Sequence, residues 1–275
     1  MKFIPLLAIL LLSITGHGQY YYNDLISNDL SNKQYQLLQT NKIKNVTAIS
    51  YDNNNTPIEN FVLKQEISAD GKQIVTTSAL ANRAPSELTI TFTGGKIRKT
   101  KEISNIVETN TTYTYSDKGL LLNVASSSSD TSVKYKTTEV HIWNYNEQNK
   151  PTLMLKVKNQ KDTTRIEFVF DEQNNVAEEH WRKNGKEIET YYYYYDAQNR
   201  LTDVVRFNNR YKKLLPDYLY EYDDQNRITK VTQTSNGSNY ITWRYTYDSR
   251  NLKDKEICYD SKGTLLGKIE YAYKN

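Results

Sequence analysis

The chain has a single cysteine, Cys258, so no disulfide can close within it. Proline (5) and glycine (10) are sparse among 275 residues, which excludes a collagen-like or low-complexity chain. Neither charge sign dominates: 36 Lys and Arg are interspersed with 32 Asp and Glu. Near-cancellation argues against a nucleic-acid partner, which needs a concentrated basic surface. Histidine is scarce: His17 lies in the leader described below, leaving only His141 and His180. A zinc site usually takes three or four protein ligands, so no metal is expected. A calcium loop, a phosphate-binding loop and a Gly-x-Ser-x-Gly elbow are all missing, and no cofactor is expected.

Long apolar runs are missing beyond the leader, which excludes a polytopic helical membrane protein. Residues 1–18 read as a secretory signal peptide. Lys2 supplies the positive start, and Phe3 to Ile14 form an apolar stretch too short to span a bilayer comfortably. Gly16 and Gly18 stand at the −3 and −1 positions of a cut before Gln19. Loss of Lys2 takes the net charge from +4 to +3. The expectation is an exported, near-neutral chain, periplasmic, cell-surface or extracellular, with no stable membrane insertion once the signal is removed.

What the chain has in excess is tyrosine, 24 in all, and much of it falls in a recurring phrase. The copies are Phe168-Val-Phe170-Asp171-Glu-Gln-Asn174, Tyr193-Tyr-Tyr195-Asp196-Ala-Gln-Asn199-Arg200-Leu201, Tyr220-Glu-Tyr222-Asp223-Asp-Gln-Asn226-Arg227-Ile228 and Tyr245-Thr-Tyr247-Asp248-Ser-Arg-Asn251. Trp143-Asn-Tyr145-Asn146 precedes them, Tyr113-Thr-Tyr115 and Tyr51-Asp52 are degenerate, and Ile257-Cys-Tyr259-Asp260-Ser-Lys-Gly263 closes the series. The second aromatics are spaced 170−145 = 25, 195−170 = 25, 222−195 = 27 and 247−222 = 25. A fixed period of this size signals a repeat architecture. A second turn signal halves each period (Lys158-Asn159, Asn184-Gly185, Asn208-Asn209, Asn236-Gly237), the spacing of short antiparallel strands.

The phrase has turn chemistry. Asp can accept backbone N–H groups two residues on, and Asn or Gly three residues later can adopt the left-handed conformation of a bulged type I turn. Asp171/Asn174, Asp196/Asn199, Asp223/Asn226, Asp248/Asn251 and Asp260/Gly263 are the expected turn pairs. The i,i+3 apolar steps after them (Leu201/Val204, Ile228/Val231) imply a bulge past the turn. Strand alternation places His141, Trp143 and Tyr145 on one face, and Tyr191, Tyr193 and Tyr195 on the equivalent one. One face is aromatic, the other largely wet.

This phrase resembles the YD repeat of RHS-type proteins and of small exported Bacteroidetes proteins with degenerate copies. The resemblance is good from Trp143 to Asn275 and faint from Tyr51 to Gly119. It implies a spiral β-sheet, which in larger relatives encloses a toxin, and an association with carbohydrate. This chain is shorter than such a shell and ends inside a repeat at Tyr271-Ala-Tyr273.

The expected architecture is all-β: an antiparallel meander of repeated hairpins forming an elongated, twisted or partly rolled sheet. A helical segment (19–44) precedes the repeat domain (45–275, clear repeats 141–275). Ser27–Thr40 is the helix candidate, with Ser27 or Asp29 to cap it and Leu30, Leu37 and Leu38 on one face. Ser126–Ser129 and Leu214–Asp217 read as loops, and open sheet edges would invite self-association.

No enzyme is expected: Glu178/Glu179 and Glu187/Glu189 are carboxylate pairs that nothing sets apart. Trp143, Trp181 and Trp243 are candidate sugar-stacking platforms, weighed against a core ladder of cross-strand aromatics. Tyr192 and Tyr194 point opposite to the ladder and are the expected exposed rings. The functional expectation is a non-enzymatic binding or scaffold module of the cell envelope for a glycan or an envelope protein. A purely structural or adhesive protein is the alternative, and a glycan hydrolase comes third.

Overall fold

The architecture grows from its turns. In the computed structural model, residues 20–80, 84–130, 132–133, 135–208, 211–235 and 239–275 are described; the expected signal peptide (1–18) lies outside the described residues. Asp196 Oδ1 accepts the N–H groups of Gln198 and Arg200, and Asp223, Asp248 and Asp260 repeat the pattern. Asn174, Asn199, Asn226 and Asn251 sit at φ between 58° and 64°, and Gly263 at 78°. Each turn reverses the chain, and the strand after it re-enters the ladder through a bulge, as between Tyr194 and Tyr195.

One helix, α1 (Asn23–Thr40), precedes eighteen strands. The first seven are β1 (Asn45–Tyr51), β2 (Val62–Ile67), β3 (Gln73–Ala79), β4 (Ser86–Thr93), β5 (Lys96–Ser104), β6 (Val107–Tyr115) and β7 (Leu121–Asp130). β8 (Tyr135–Tyr145), β9 (Pro151–Lys158), β10 (Asp162–Phe170), β11 (Val176–Lys183), β12 (Lys186–Tyr195) and β13 (Leu201–Asn208) follow. The last are β14 (Lys213–Tyr222), β15 (Ile228–Ser235), β16 (Asn239–Tyr247), β17 (Lys253–Tyr259) and β18 (Leu265–Lys274).

Each strand pairs antiparallel with the next, and β1 pairs with β18 from Asn45↔Lys274 to Tyr51↔Lys268. The sheet is therefore a closed up-and-down barrel, not the open or partly rolled sheet expected from the repeat. The outermost strands account for the difference: β18 finds its second neighbour in β1, so the meander closes on itself. Closure removes the open edges on which the expectation of self-association rested. Two expected loops are strand. Ser126–Ser129 lies in β7, where its seryl hydroxyls bond Thr109 and Thr111. Leu214–Asp217 lies in β14, and Pro216, which lacks an N–H, sits beside the bulge opposite Val204 and Val205.

Two contacts couple successive hairpins at the repeat-turn end. The last Tyr of a strand donates its hydroxyl to the first carbonyl of the strand before it: Tyr145 to Leu121, Tyr195 to Val176, Tyr222 to Leu201, Tyr247 to Ile228 and Tyr273 to Lys253, at 2.7 to 2.9 Å. Arg200 lies over the Tyr222 ring and donates to Asn226 Oδ1, and Arg227 does the same with Tyr247 and Asn251. The phrase thus specifies its own turn and its attachment to the next.

A barrel of eighteen strands is too wide for side chains alone to fill. Helix α1 occupies the lumen, touching inward-facing residues around the wall: Asn32 meets Ile97 of β5, Asn28 meets Tyr115 of β6, and Asp24 meets His141 of β8. Leu38 is buried in the cluster that holds Leu63, Ile90 and Ile269. The helix starts one turn earlier than Ser27, and no side chain of its own caps it. Leu30 is exposed, so the expected leucine face is only partly used.

Candidate functional site

The lumen is held by a buried carboxylate. Glu179, on β11, points inward and accepts four hydrogen bonds: from the backbone N–H of Tyr21 (2.7 Å) and Tyr22 (2.8 Å), the Trp181 indole N–H and the Tyr193 hydroxyl (2.6 Å). The N–H groups at a helix start have no partner within the helix. Here the barrel wall supplies the cap, with a charge that suits the positive end of the helix. Burial pushes the Glu179 carboxyl above its ordinary range, against the pull of its donors.

Beside it lies a chain of charges. His141 holds Asp24 at 2.6 Å on Nδ1 and Glu139 at 3.0 Å on Nε2. Lys156 reaches Glu139 at 3.2 Å and the Tyr21 hydroxyl at 2.7 Å. Burial alone would lower the His141 pKa, but its two carboxylate neighbours push it up to about 9. Burial likewise opposes the ionisation of Glu139, yet His141 and Lys156 hold it at about 2. These groups tie the start of the helix to β8 and β9.

The three tryptophans all face inward. Trp143 is 2% exposed, stacked on Phe168 at 5.3 Å, with its indole N–H 3.3 Å from Asp24. Trp181 is half-buried against Tyr21 and Tyr191. Trp243 is buried opposite Val231 and Cys258, and its indole N–H meets no acceptor. Neither Trp143 nor Trp243 offers a ring face to an external ligand. Cys258 is itself buried, and burial pushes its thiol up to about 12. The carboxylate pairs separate: Glu178 faces outward onto His180, whereas Glu179 faces the helix. Among the described residues no group of three His, Cys, Asp or Glu side chains converges to hold a metal.

The outer face carries ion pairs such as Lys101–Glu108, Arg165–Glu167, Arg182–Glu167 and Lys230–Glu221, beside exposed apolar side chains such as Ile49, Ile142 and Val169. Two aromatic positions on β12 also face outward. Tyr192 is half-buried between Glu178 and Val205, and Tyr194 is 49% exposed. Tyr194 lines a cleft of about 560 Å³ at the repeat-turn end, together with Asp171, Gln173, Asn175, Asp196 and Asn199. The turns that shape the hairpins therefore also place carboxylates and amides around one open ring. Asn175 ties the two turns together by donating to Asn199 Oδ1 at 3.0 Å. A second depression, of about 790 Å³, crosses the outer face of β14–β17 between Pro216 and Tyr259. Neither hollow has a signal in any single residue; each arises from register across strands.

No family model and no curated protein matches the chain. Solved structures to which the chain is similar include a porin-like protein from Bacteroides uniformis, at 9% identity and TM-score 0.41, covering 84% of this chain and 98% of that one. A porin-like protein from Bacteroides vulgatus follows at 12% identity and TM-score 0.27, covering 84% and 98%. The Photorhabdus luminescens Tc holotoxin pore is similar at 11% identity and TM-score 0.36; the match covers 80% of this chain but 13% of the toxin chain. Among the described residues no helix is long and apolar enough to cross a membrane.

Proposed function

We propose that the protein is an exported, non-enzymatic module of the cell envelope, built from YD-like repeats, that binds glycan through the outside of a plugged barrel. The observation that carries this reading is the Tyr194 cleft: an open ring edged by turn carboxylates and amides. A pyranose can lay its C–H face on such a ring while its hydroxyls bond the rim. A pore is a poorer reading, because α1 fills the lumen and the wall grips it with a buried carboxylate.

A scaffold that binds an envelope protein is the second reading. The burial of Trp143 and Trp243 favours it, since that leaves mainly polar surface for contact. One experiment separates the two: the mature chain is applied to an immobilised glycan panel and to isolated cell-wall and outer-membrane fractions. Saturable glycan retention, lost on Tyr194→Ala with the circular dichroism spectrum unchanged, is the expected result. Retention of one envelope protein with no glycan bound would replace the glycan reading by the scaffold.

A further inference from the structure

The depression on the outer face of β14–β17 has one-sided charge. Cross-strand register builds it from two neighbouring rows. One row is Leu219, Thr232, Thr242 and Tyr259; from the next row, Glu221, Lys230, Arg244 and Ile257, only Lys230 and Arg244 line it. Pro216 and Tyr240 form the opposite bank. Thr232 and Thr242 face outward yet are buried, with hydroxyls 3.3 Å apart, so the first row is the floor of a real trough. Its volume of about 790 Å³ falls within the range of ligand sites.

The cations on its edge are not equivalent. Lys230 is neutralised by Glu221 at 2.6 Å. Arg244 is exposed and meets no carboxylate among the described residues; it lies over the Tyr259 ring, 5.9 Å from the centroid. Asp260, at the far end, spends Oδ1 on the N–H groups of Lys262 and Thr264. A guanidinium on an aromatic ring is weakly hydrated and presents a planar fork that matches a carboxylate.

We propose that this trough binds an acidic saccharide, with a uronate carboxylate on Arg244 and pyranose faces against Tyr240 and Tyr259. The proposal rests on the glycan reading above and adds selection by charge. Leu215, Pro216 and Leu219 beside the two rings give apolar patches for the C–H faces of pyranoses, and the unmatched positive charge selects the acid over the neutral form.

The test is calorimetric titration of the mature chain with tetragalacturonate, its methyl ester and neutral maltotetraose. The acid is expected to bind roughly tenfold more tightly than the ester, with an advantage that shrinks as salt is raised. Arg244→Ala should abolish that ratio and leave ester binding unchanged, and Arg244→Lys should restore only part of it. Equal affinity for acid and ester, or discrimination that survives Arg244→Ala, overturns the proposal while leaving the glycan reading in place. Binding of none of the three saccharides removes both.

Discussion

The two walls of the lumen meet the same helix with different side chains. The wall formed by β2–β5 is mainly aliphatic, with Leu63, Ile67, Ile74, Ile90 and Ile97. The wall formed by β8–β12 is mainly aromatic, with Trp143, Phe168, Tyr191 and Tyr193. Helix position accounts for the difference. α1 runs closest to β5, where Asn32 Oδ1 accepts the Ile97 N–H at 2.9 Å and Tyr35 stacks on Phe92 at 3.8 Å. There the gap is small and short side chains close it. On the far side the gap is wide, and rings together with Tyr20, Tyr21 and Tyr22 fill it. Side-chain size tracks distance from the plug, so the aromatic phrase fills space as well as building hairpins.

The strongest way to break this comparison is to cut the anchor on the far wall. Glu179→Ala leaves two backbone N–H groups, an indole and a phenol without their acceptor. A loss of about 3 kcal/mol is expected in urea unfolding, with early proteolysis between residues 20 and 40. On the near wall, where apolar contact does more of the holding, Asn32→Ala should cost about 1 kcal/mol. Equal costs would mean that helix position does not divide the two walls.

Acid–base chemistry sharpens the same contrast, because the titratable anchors lie on the far wall. The folded His141 pKa of about 9 exceeds its ordinary value, so its contribution is complete at mildly acidic pH and is lost as pH rises through about 9. A shift of that size corresponds to about 3 kcal/mol when fully developed, of which part is already gone at neutral pH. Hydrogen exchange in residues 20–26 should quicken between neutral pH and about 9, beyond the intrinsic base catalysis of exchange. His141→Gln should flatten the excess. An unchanged profile in that variant would show that the Asp24–His141–Glu139 chain does not hold the helix. Glu139, held at about 2, acts in the opposite sense: its contribution is present above the ordinary carboxylate range and is lost in strong acid.

Local structure was legible where residue types recur at fixed offsets. Asp and Asn three apart marked the reversals, and alternation told which residues share a face. Closure was not legible, because pairing β1 with β18 joins segments more than two hundred residues apart that carry no mark of each other. The helix start was missed for a related reason: its cap, Glu179, comes from a strand far along the chain. The tryptophans were visible as aromatic, but whether a ring stacks on sugar or on Phe168 depends on what fills the barrel. The trough at Thr232 and Thr242 depends on register between four strands, which alternation alone does not set.

The smaller predictions concern how successive repeat hairpins hold to one another. Tyr222 donates to the Leu201 carbonyl, and Tyr222→Phe should cost about 1 kcal/mol in urea unfolding without altering the spectrum of the folded state. On β6 the counterpart is diverted, since the Tyr115 hydroxyl accepts from Asn28 of the helix. Removing that hydroxyl should therefore expose α1 to proteolysis, which Tyr222→Phe should not do.

Position 170 carries the series' exception. Phe170 ends β10 as Tyr195 ends β12, but it has no hydroxyl to offer the first carbonyl of β9, at Pro151. Pro151 has no N–H, so its side of the ladder is already one donor short, and its carbonyl is the equivalent of those at Val176 and Leu201. Phe170→Tyr should add the missing bond and stabilise the barrel by a few tenths to about 1 kcal/mol, read as a shift of the urea midpoint at constant slope. A loss of stability would mean that the β9–β10 hairpin sits closer to its neighbour than the others do. The tyrosine contact would then follow from hairpin spacing instead of setting it.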